Sequence, residues 1–365
     1  MTRKEFIKIC GILGIGLPIQ FSLTPFNENE TESFNGKVII LGAGAGGLSA
    51  GYLLQQLGID FEILEASQNY GGRMKINTNF ADFPIPLGAE WLETNTNIFQ
   101  EIVNNSSINV NIQTFNDKPD RKFQNYSWFN FFEDYIVPSI YDKITFNSIV
   151  KSIDYSENQV VICTQDGEYI ADKVIVSVPL KILQDNDINF NPNLPQKKLD
   201  AINNTVIWDG FKAFFEFSTK FYKDEYEFQT TPPSNGEKLY YNASFGQNTS
   251  KNILGLFAVG TPAKDYISLS SNDLKDFILS ELDGIYLNKA TPNYLNHITQ
   301  NWNNEPFIKS GYMTDYADWK TVRTLGESLV DKVYFAGGAY TDGENWVSVH
   351  TAAQSAKKVV EEIIN

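Results

Sequence analysis

Residues 37–47 read KVIILGAGAGG, and this stretch decides the fold of the chain. After one lysine, the short apolar run is typical of a strand buried on both faces of a parallel sheet. Gly42, Gly44 and Gly47 follow at the G-x-G-x-x-G spacing. In this motif the first glycine permits a tight turn, the second lets a pyrophosphate approach the backbone, and the third lets helix and strand pack closely. A helix is predicted over 48–57, with its N-terminal N–H groups directed at the phosphates.

An acidic residue follows the next predicted strand. Residues 61–64 read FEIL and lead to Glu65, about 20 residues beyond the glycine turn, where a carboxylate accepts hydrogen bonds from an adenosine ribose. A carboxylate here favours a free 2′-hydroxyl, as in FAD or NAD, over a 2′-phosphate. The glycine motif alone would also fit an ordinary packing turn, but strand, turn, helix, strand and acid together predict a dinucleotide-binding unit.

The composition limits the partners and the chemistry of the chain. Among 365 residues, 29 Lys and Arg stand against 44 Asp and Glu, which gives a formal net charge of -15. Such a surface repels phosphate backbones, so we expect no nucleic-acid partner, whereas protonated amines approach easily. The chain has two cysteines and two histidines, which form no metal-ligand motif, so no metal site is predicted and a Ser-His-Asp triad is not expected.

The N-terminus has the pattern of an export signal. Arg3 and Lys4 precede an apolar run over 9–23, which is too short to span a bilayer comfortably. The order of charges resembles a twin-arginine signal, so we expect residues 1–25 to direct export to the periplasm, or to anchor the protein in the membrane if they stay uncleaved. A buried or interfacial helix is the alternative. Residues 26–35 are polar and acidic, and we predict a linker there.

Residues 65–74 read EASQNYGGRM and carry a family resemblance. The segment is similar to one found in the glutathione-reductase-like flavoproteins and above all in the flavin amine oxidase family, where the ribose acid continues into a Gly-Gly-Arg turn. The resemblance implies FAD as the cofactor. It also implies that the backbone amides of Gly71 and Gly72 close on the cofactor and that Arg73 offers its planar guanidinium to the diphosphate.

Further segments with the same resemblance are spread along the chain. The resemblance implies that the backbone of Val150 contacts the adenine and that the segment containing Gly337 binds the flavin. It implies as well that the last helix, which begins at about Val349, directs its N-terminus at the cofactor. The segments lie at 87–93, 146–153, 174–180, 301–302, 311–313, 333–338 and 349–363.

The fold class that follows is α/β. We predict a Rossmann-like FAD-binding domain of the glutathione-reductase type, which is discontinuous and carries an inserted α+β substrate domain. An aromatic run, FQNYSWFNFF at 123–132, fits either the lining of an apolar substrate tunnel or the core of the insertion. The predicted FAD-binding domain comprises 36–100, 141–182 and 300–365, and the substrate domain comprises 101–140 and 183–299.

Lys212 is the centre of the predicted chemistry. It lies in an apolar run over 208–217, and burying an unpaired ammonium is costly, so the position needs an explanation. The resemblance implies that Lys212 is catalytic: it holds a water against flavin N5 and assists reoxidation of the reduced flavin by O2. A pair with Glu216, or an ammonium that reaches solvent, is the structural alternative. The resemblance also implies that Trp302 packs near the flavin, with an ordinary core tryptophan as the alternative.

Several positions depart from the family pattern. Tyr312 stands where a cysteine tethers FAD in monoamine oxidases, so we expect noncovalent binding. The two tyrosines that flank the amine in those enzymes correspond to Met313 and Val349, so the usual aromatic cage is missing. Glu93 matches an acidic position at the tunnel mouth of polyamine oxidases. We assign Glu93, Met313 and Trp346 to the substrate side of the site.

These observations predict an exported FAD-dependent oxidoreductase that oxidises a C–N bond of an amine by hydride transfer to flavin N5, after which water hydrolyses the imine. O2 or a periplasmic electron carrier would accept the electrons. The first alternative is a flavin desaturase or oxidase that acts on C–C bonds of an apolar substrate. The second is a flavin-binding protein without catalytic activity, which the missing aromatic cage supports.

Overall fold

The computed structural model describes residues 34–114, 121–227, 236–314, 318–343 and 347–365. The predicted export signal at 1–25 and most of the linker at 26–35 lie outside these ranges. Within them, no helix combines the length and the apolar composition that crossing a bilayer requires.

The strands and α-helices of these ranges are numbered in chain order. The strands are β1 (Lys37–Leu41), β2 (Asp60–Leu64), β3 (Ile76–Asn77), β4 (Ile85–Pro86), β5 (Trp91–Leu92), β6 (Ile112–Thr114), β7 (Arg121–Phe123), β8 (Ile144–Thr145), β9 (Val150–Asp154), β10 (Val160–Thr164), β11 (Glu168–Ala171), β12 (Lys173–Val176), β13 (Asn189–Asn191), β14 (Gly210–Phe217), β15 (Glu225–Glu227), β16 (Gly236–Asn242), β17 (Asn252–Gly260), β18 (Tyr294–Asn301) and β19 (Val333–Phe335). The helices are α1 (Ala45–Leu57), α2 (Asn97–Val103), α3 (Trp128–Tyr135), α4 (Leu180–Gln184), α5 (Gln196–Asn204), α6 (Lys264–Ile267), α7 (Ser271–Ile285), α8 (Ala290–Asn293), α9 (Trp319–Gly326) and α10 (Val349–Ile364).

A parallel five-stranded sheet has the order β19-β12-β1-β2-β8. Its strands come from distant parts of the chain, so this unit is discontinuous in sequence. In the central strand β1, Val38 and Ile40 face a core that also contains residues of α1 and α10, while Ile39 and Leu41 face the opposite core. Burial on both faces explains why β1 is so apolar. The predicted Rossmann-like α/β fold is confirmed.

The glycine turn connects β1 to α1. Gly44 precedes the helix in an extended conformation, and α1 begins at Ala45. The helix ends at Leu57 because Gly58 adopts a left-handed conformation (φ 69°) and donates its N–H to carbonyl oxygens of the last turn. The turn therefore lies at the carboxyl end of β1, directly beneath the N-terminus of α1.

A second, antiparallel sheet has the order β15-β16-β17-β14-β18. Because side chains alternate between the two faces of a strand, Lys212 and Phe214 of β14 lie on one face and Ala213 and Phe215 on the other. Phe214 packs in a core with β4, whereas Ala213 and Phe215 pack in a core with α7. This sheet and its helices form the α+β part of the fold.

The segment over 101–140, which the sequence assigns to the substrate domain, is joined to the parallel sheet. Phe131 and Phe132 of α3 lie in the core that α1 and β1 share. The small sheet β5-β7-β6 borders the same core through Leu92 and Phe123. The domain boundaries themselves stay predictions.

Candidate active site

A large cavity lies between the carboxyl ends of the parallel strands and one face of the antiparallel sheet. Its volume of about 1450 Å³ exceeds the roughly 300–1,000 Å³ of an ordinary small-molecule pocket. The loops after β1, β2, β12 and β19 contribute the first wall, and strands β14 to β17, with Trp91 and Glu93 in and after β5, contribute the second. The cavity therefore has room for a dinucleotide together with a second small molecule, at the sheet edge where α/β proteins bind ligands.

The glycine turn forms part of the first wall. Gly42 and Gly44 line the cavity, and a Cβ added to Gly44 would meet no protein atom within 4 Å. The space beside Gly44 is thus open for a ligand to approach the backbone. Gly47 lies off the wall, and a Cβ there would be 1.9 Å from the carbonyl oxygen of Gly42. Gly47 serves close packing of the helix on the turn, as its place in the motif predicts.

Glu65 lies directly after β2 and lines the cavity. Its Oε2 accepts from the backbone N–H of Ala43 at 2.6 Å, and its Oε1 accepts from the backbone N–H of Ser67 at 2.9 Å. These two bonds fix the carboxylate against the glycine turn. Since each carboxylate oxygen has a further lone pair, Glu65 retains the capacity to accept from a ligand hydroxyl.

Gly71, Gly72 and Arg73 line the same wall. The two glycines have φ values of 106° and 54°, in the region that favours glycine. Arg73 donates from Nη1 to the backbone oxygen of Gly311, and burial lowers the pKa of its guanidinium. Among the described residues no carboxylate forms an ion pair with Arg73. Its positive charge is therefore available to an anionic ligand.

The start of α10 and the loop after β19 complete the first wall. Val349 and Gly337 both line the cavity. Ser348 caps α10 by accepting from the N–H of Thr351, whose side chain accepts in turn from the N–H of Ser348. Gly337 (φ 139°) lies so close to α1 that a Cβ on Gly46 would be 2.9 Å from its Cα. The N-terminal ends of α1 and α10 thus both border the cavity.

Lys212 lies on the second wall, and its side chain is 3% exposed. Its Nζ donates to the backbone oxygens of Pro86 (2.9 Å) and Gly88 (3.1 Å) and to Oε2 of Glu90 (2.6 Å). A lysine ammonium has three N–H donors, so each donor of Lys212 has a protein acceptor. Burial lowers the pKa of Lys212, and Glu90 partly offsets this effect.

Glu90 joins Lys212 to a second buried lysine. Its Oε1 lies 3.2 Å from Nζ of Lys122, and the hydroxyl of Tyr241 donates to its Oε2. Lys122 also donates to the backbone oxygen of Ala243. Burial alone would raise the pKa of the Glu90 carboxyl, but the two lysines outweigh it and lower the pKa. The Glu90 carboxylate therefore lies between two buried lysines, and burial lowers the pKa of Lys122 as it lowers that of Lys212.

The alternative that pairs Lys212 with Glu216 is wrong. Glu216 is partnered by Lys251 at 3.1 Å. Residues four apart are neighbours on a helix, but along a strand such as β14 they are about 13 Å apart. The other alternative, an ammonium that reaches solvent, is excluded by the burial of Lys212.

Trp302 and Glu93, two further predicted site residues, also line the cavity. Trp302 is buried, and its Nε1 donates to the backbone oxygen of Leu87 at 3.0 Å. Two carboxylates that no sequence pattern singled out, Glu225 and Glu237, line the cavity as well. They belong to β15 and β16, on the second wall.

Besides Gly47, three predicted site residues are not placed on the described wall. Val150 packs in the core, while its neighbour Ile149 lines the cavity. Met313, predicted on the substrate side, is likewise buried in the core, while Tyr312 lines the cavity. Adjacent residues of an extended segment point to opposite sides. A predicted site residue that is one position away from the true one is therefore the buried neighbour. Trp346 lies outside the described residues, and its role, like the backbone contact of Val150, stays a prediction.

The aromatic run over 123–132 is divided between the cavity wall and the core, and the lining of a substrate tunnel stays a prediction. Trp128 and Phe129 line the cavity, whereas Phe131 and Phe132 are fully buried in the core.

Sequence reasoning did not identify Glu90, although the need of a buried Lys212 for a counter-charge was a signal that such a residue exists.

Comparison with known families matches both parts of the chain. The model of the flavin containing amine oxidoreductase family matches residues 134–364, which is more than half of the chain. The model of the NAD(P)-binding Rossmann-like domain matches residues 40–105, which include α1 and β2.

Curated relatives match over about half of the chain. Lysine-specific histone demethylase 1B of Mus musculus is 26% identical over 203 residues, which cover 54% of this chain and 25% of the relative. Probable polyamine oxidase 4 of Arabidopsis thaliana is 27% identical over 208 residues, which cover 56% of this chain and 41% of the relative. The match thus spans well under half the length of these relatives.

Solved structures of putrescine oxidase share the fold. The wild-type enzyme bound to putrescine has a TM-score of 0.69 at 13% identity, covering 90% of this chain and 99% of that chain. A triple mutant of putrescine oxidase has a TM-score of 0.72 at 14% identity, covering 90% and 98%. On the match over residues 134–364, this chain belongs to the flavin containing amine oxidoreductase family.

Proposed function

We propose that this chain is an FAD-dependent oxidoreductase that oxidises the C–N bond of a small cationic amine. One observation carries the proposal: the open glycine turn at Gly44 and the buried Lys212 line the same cavity. The glycine turn that fits a dinucleotide and the lysine that we place at the reaction therefore border one continuous cavity. This cavity is large enough for a cofactor and a substrate together. Membership of the family supports the reaction type.

The residues of the first wall fit FAD. The open space beside Gly44 admits a pyrophosphate to the backbone, and the charge of Arg73 suits the same anionic group. Glu65 would accept from ribose hydroxyls, and the N-terminal ends of α1 and α10 add partial positive charge. Because Tyr312 replaces the tethering cysteine, binding is noncovalent, and acid precipitation should release all of the flavin. Flavin that stays on the precipitated protein would contradict this assignment.

A flavin held in this cavity supplies the two-electron acceptor for a hydride from the carbon next to the substrate nitrogen. The chain itself binds and orients the substrate, excludes water and places charge beside the reaction. Trp302 is held on the wall by its bond to Leu87, and Lys212 is held there by three bonds. Both side chains are therefore fixed before any substrate binds.

The second wall favours an amine cation. Glu93, Glu225 and Glu237 place carboxylates on the cavity, and Trp91 and Phe257 add apolar surface. Since the family's aromatic cage is missing, carboxylates would orient the substrate by charge. A relative named as a probable polyamine oxidase and a similar fold that binds putrescine support a di- or polyamine as the substrate.

The test is anaerobic reduction of the bound flavin by a panel of compounds. The loss of visible flavin absorbance measures the reduction. We expect diamines and polyamines to bleach the flavin faster than monoamines of the same length. Bleaching only by apolar compounds with oxidisable C–C bonds would establish the desaturase alternative. Bleaching by dithionite and by no organic compound would establish a flavin-binding protein without catalytic activity.

We also propose that the folded holoprotein is exported to the periplasm and that O2 or a periplasmic carrier accepts its electrons. The charge pattern over 1–25 supports export, and a cofactor made in the cytoplasm suits a route for folded proteins. Reoxidation after dithionite reduction separates the two acceptors. Rapid reoxidation in air supports O2, whereas slow reoxidation in air with rapid oxidation by a soluble redox dye supports a carrier.

A further inference from the structure

A buried cluster of titratable groups borders the second wall of the cavity. It consists of Glu90, Lys122 and Lys212, with the Tyr241 hydroxyl donating to Glu90. The side chains of Glu90 and the two lysines are 1–3% exposed, so water screens their charges little. Glu90 and Lys212 line the cavity, whereas Lys122 does not. The cluster therefore has a side that faces the cavity and a rear side at Lys122.

The hydrogen bonds require an ammonium group at Lys212 but not at Lys122. Lys212 donates to three oxygens, and only an ammonium group offers three N–H donors. Lys122 donates to the backbone oxygen of Ala243. A neutral amine also carries N–H donors, so it makes this bond equally well and keeps a lone pair that can accept a proton.

The surroundings of Lys122 favour its neutral form. Burial lowers the pKa of Lys122, and the charge of Lys212 lowers it as well, while Glu90 partly offsets both effects. The Tyr241 ring is the other titratable group that faces Lys122 in the described part of the chain, with its centroid 5.6 Å from Nζ. The residues opposite Lys122 in the neighbouring strands carry no charge; they are Trp91 and Gln113.

Glu90 connects Lys122 to the cavity. Its Oε2 accepts from Lys212 and Tyr241, whereas its Oε1 is buried and receives no hydrogen bond from any described residue. Nζ of Lys122 lies 3.2 Å from this Oε1, within the reach of about 2.6–3.2 Å over which a proton is transferred. A buried acceptor without a donor is costly, so its position calls for an explanation. A proton that arrives at Oε1 would satisfy it.

Oxidation of a cationic amine needs a proton acceptor. An ammonium group must lose a proton before its carbon can give up a hydride, because the nitrogen lone pair stabilises the positive charge that forms on that carbon. The two histidines of the chain, His297 and His350, do not line the cavity. A carboxylate of ordinary acidity holds a proton poorly at neutral pH, so it needs a stronger base behind it. Lys122 lies behind Glu90 in this way.

We propose that Glu90 takes the proton that the substrate ammonium loses and passes it to a neutral Lys122 behind the cavity wall. An N–H bond of the substrate breaks, its electron pair stays on the nitrogen, and an O–H bond forms on Glu90, directly or through one water. This O–H bond then breaks as an N–H bond forms on Lys122. Lys212 stays an ammonium, and its charge favours both the loss of the substrate proton and the ionised form of Glu90.

Lys122 acts through Glu90 and is a positioning residue for this proton. The inference rests on the proposed function, because it needs an ammonium substrate that is oxidised in the cavity. The hydride leaves for the flavin after the proton has moved, so the proton step itself needs no oxidant.

The first measurement is nitrogen NMR of the FAD-loaded protein, labelled at the lysine side chains, with no amine present. Neutral amine and ammonium nitrogens differ in chemical shift, and the signal that disappears in Lys122→Met identifies Lys122. We expect a neutral amine at Lys122 at neutral pH. An ammonium signal for Lys122 overturns the inference.

The second measurement is the rate of anaerobic flavin reduction by putrescine as a function of pH. Putrescine is the probe because a similar fold binds it, and the fastest amine of the panel replaces it if it reduces no flavin. At neutral pH, Lys122→Met should slow reduction about 100-fold, the lower end of what a general base contributes. Above the pKa of the free amine, about 10.4 for a lysine-like group, the substrate arrives deprotonated and the variant should approach the wild-type rate.

The chain offers a matched control. Lys251→Met breaks the lysine–glutamate pair with Glu216 on the same sheet, and neither residue lines the cavity. Its rate should equal that of the wild type at every pH. If Lys122→Met does not load FAD, Lys122→Gln removes the same proton acceptor and keeps an N–H donor for Ala243.

The outcomes separate this inference from the proposed function. A Lys122 variant that equals the wild type at every pH, or that is slower by the same factor at every pH, overturns the inference although the protein oxidises amines. A constant factor would assign Lys122 to structure alone. A flavin that no amine reduces overturns the proposed function and, with it, the transfer of a substrate proton to Lys122.

Discussion

Arg73 donates from Nη1 to the backbone oxygen of Gly311 at 2.5 Å, which joins two segments of the cavity wall that are far apart in the chain. This bond fixes one edge of the guanidinium. The remaining N–H donors of the planar guanidinium have no carboxylate partner among the described residues. A cation held in this way is preorganised for an anion, and the diphosphate of FAD is the anion that the neighbouring glycine turn favours.

Replacing Arg73 should therefore weaken FAD binding. A hydrogen bond to a charged group contributes about 1.5–3 kcal/mol, so Arg73→Met should raise the Kd for FAD about 10- to 100-fold. Arg73→Lys keeps the charge without the planar guanidinium, so its Kd for FAD should lie between those of the wild type and Arg73→Met. Fluorescence quenching of FAD titrated with apoprotein gives the Kd. Arg323→Met, at an arginine stacked on Trp319, is the control and should leave the Kd unchanged. An unchanged Kd in Arg73→Met would remove Arg73 from the FAD site.

The two glycines Gly44 and Gly47 should respond in opposite ways. A Cβ at Gly44 would meet no protein atom within 4 Å, so Gly44→Val should leave the thermal stability of the apoprotein nearly unchanged and abolish FAD binding. A Cβ at Gly47 would collide with the carbonyl oxygen of Gly42, so Gly47→Ala should lower the Tm of the apoprotein itself. Thermal unfolding and the flavin content of each purified variant check both statements. FAD retained by Gly44→Val would contradict the cofactor assignment.

The sequence was sufficient to predict the first wall because its signals are local. A buried strand, a glycine turn, a helix and an acid follow one another within 37–65, and each has its own physical requirement. The same locality explains why the turn containing Gly71 and Gly72 was recognisable. Lys212 could be singled out because a cation in an apolar strand must be paired.

The partners of Lys212 could not be predicted, because they come from distant strands. Glu90 and Lys122 meet Lys212 only through the pairing of β7 with β5 and the packing of both against the antiparallel sheet. No spacing in the sequence encodes such a contact. Met313 shows a second limit, since a shift of one residue in an extended segment exchanges the cavity side for the core side.

His350 should make stability fall in mild acid. Burial lowers its pKa from the usual 6.5 to about 4, so the folded state keeps the ring neutral while the unfolded state binds a proton between these values. The free energy of unfolding should therefore decrease as the pH falls from 6.5 to 4, by up to about 3 kcal/mol. Urea unfolding across this range measures it. His350→Gln should flatten the pH dependence, whereas an unchanged slope would assign it to other groups, among them His297, whose pKa burial also lowers.

Residues 1–35 should export a folded reporter. The export route that we propose depends on recognition of the charged pair Arg3 and Lys4. Changing both to Gln should therefore stop delivery to the periplasm. The measurement is the periplasmic fraction of a reporter that is active only when it is folded before export. Delivery that survives the double change would instead indicate a signal for unfolded proteins or a simple anchor.

The carboxylates of the second wall should determine which amines bind. If Glu93 and Glu237 attract the ammonium group that is not oxidised, changing either to Gln should raise the KM for a diamine about fivefold, since a solvent-exposed charge pair contributes about 1 kcal/mol or less. The effect should shrink at high salt, because screening weakens exposed charges. A monoamine of the same chain length has no second ammonium, so its KM should change much less. Glu157→Gln, at an exposed carboxylate away from the cavity, is the matched control. Equal changes in KM for the monoamine and the diamine would show that these carboxylates affect the shape of the cavity and do not interact with the second ammonium group of the substrate.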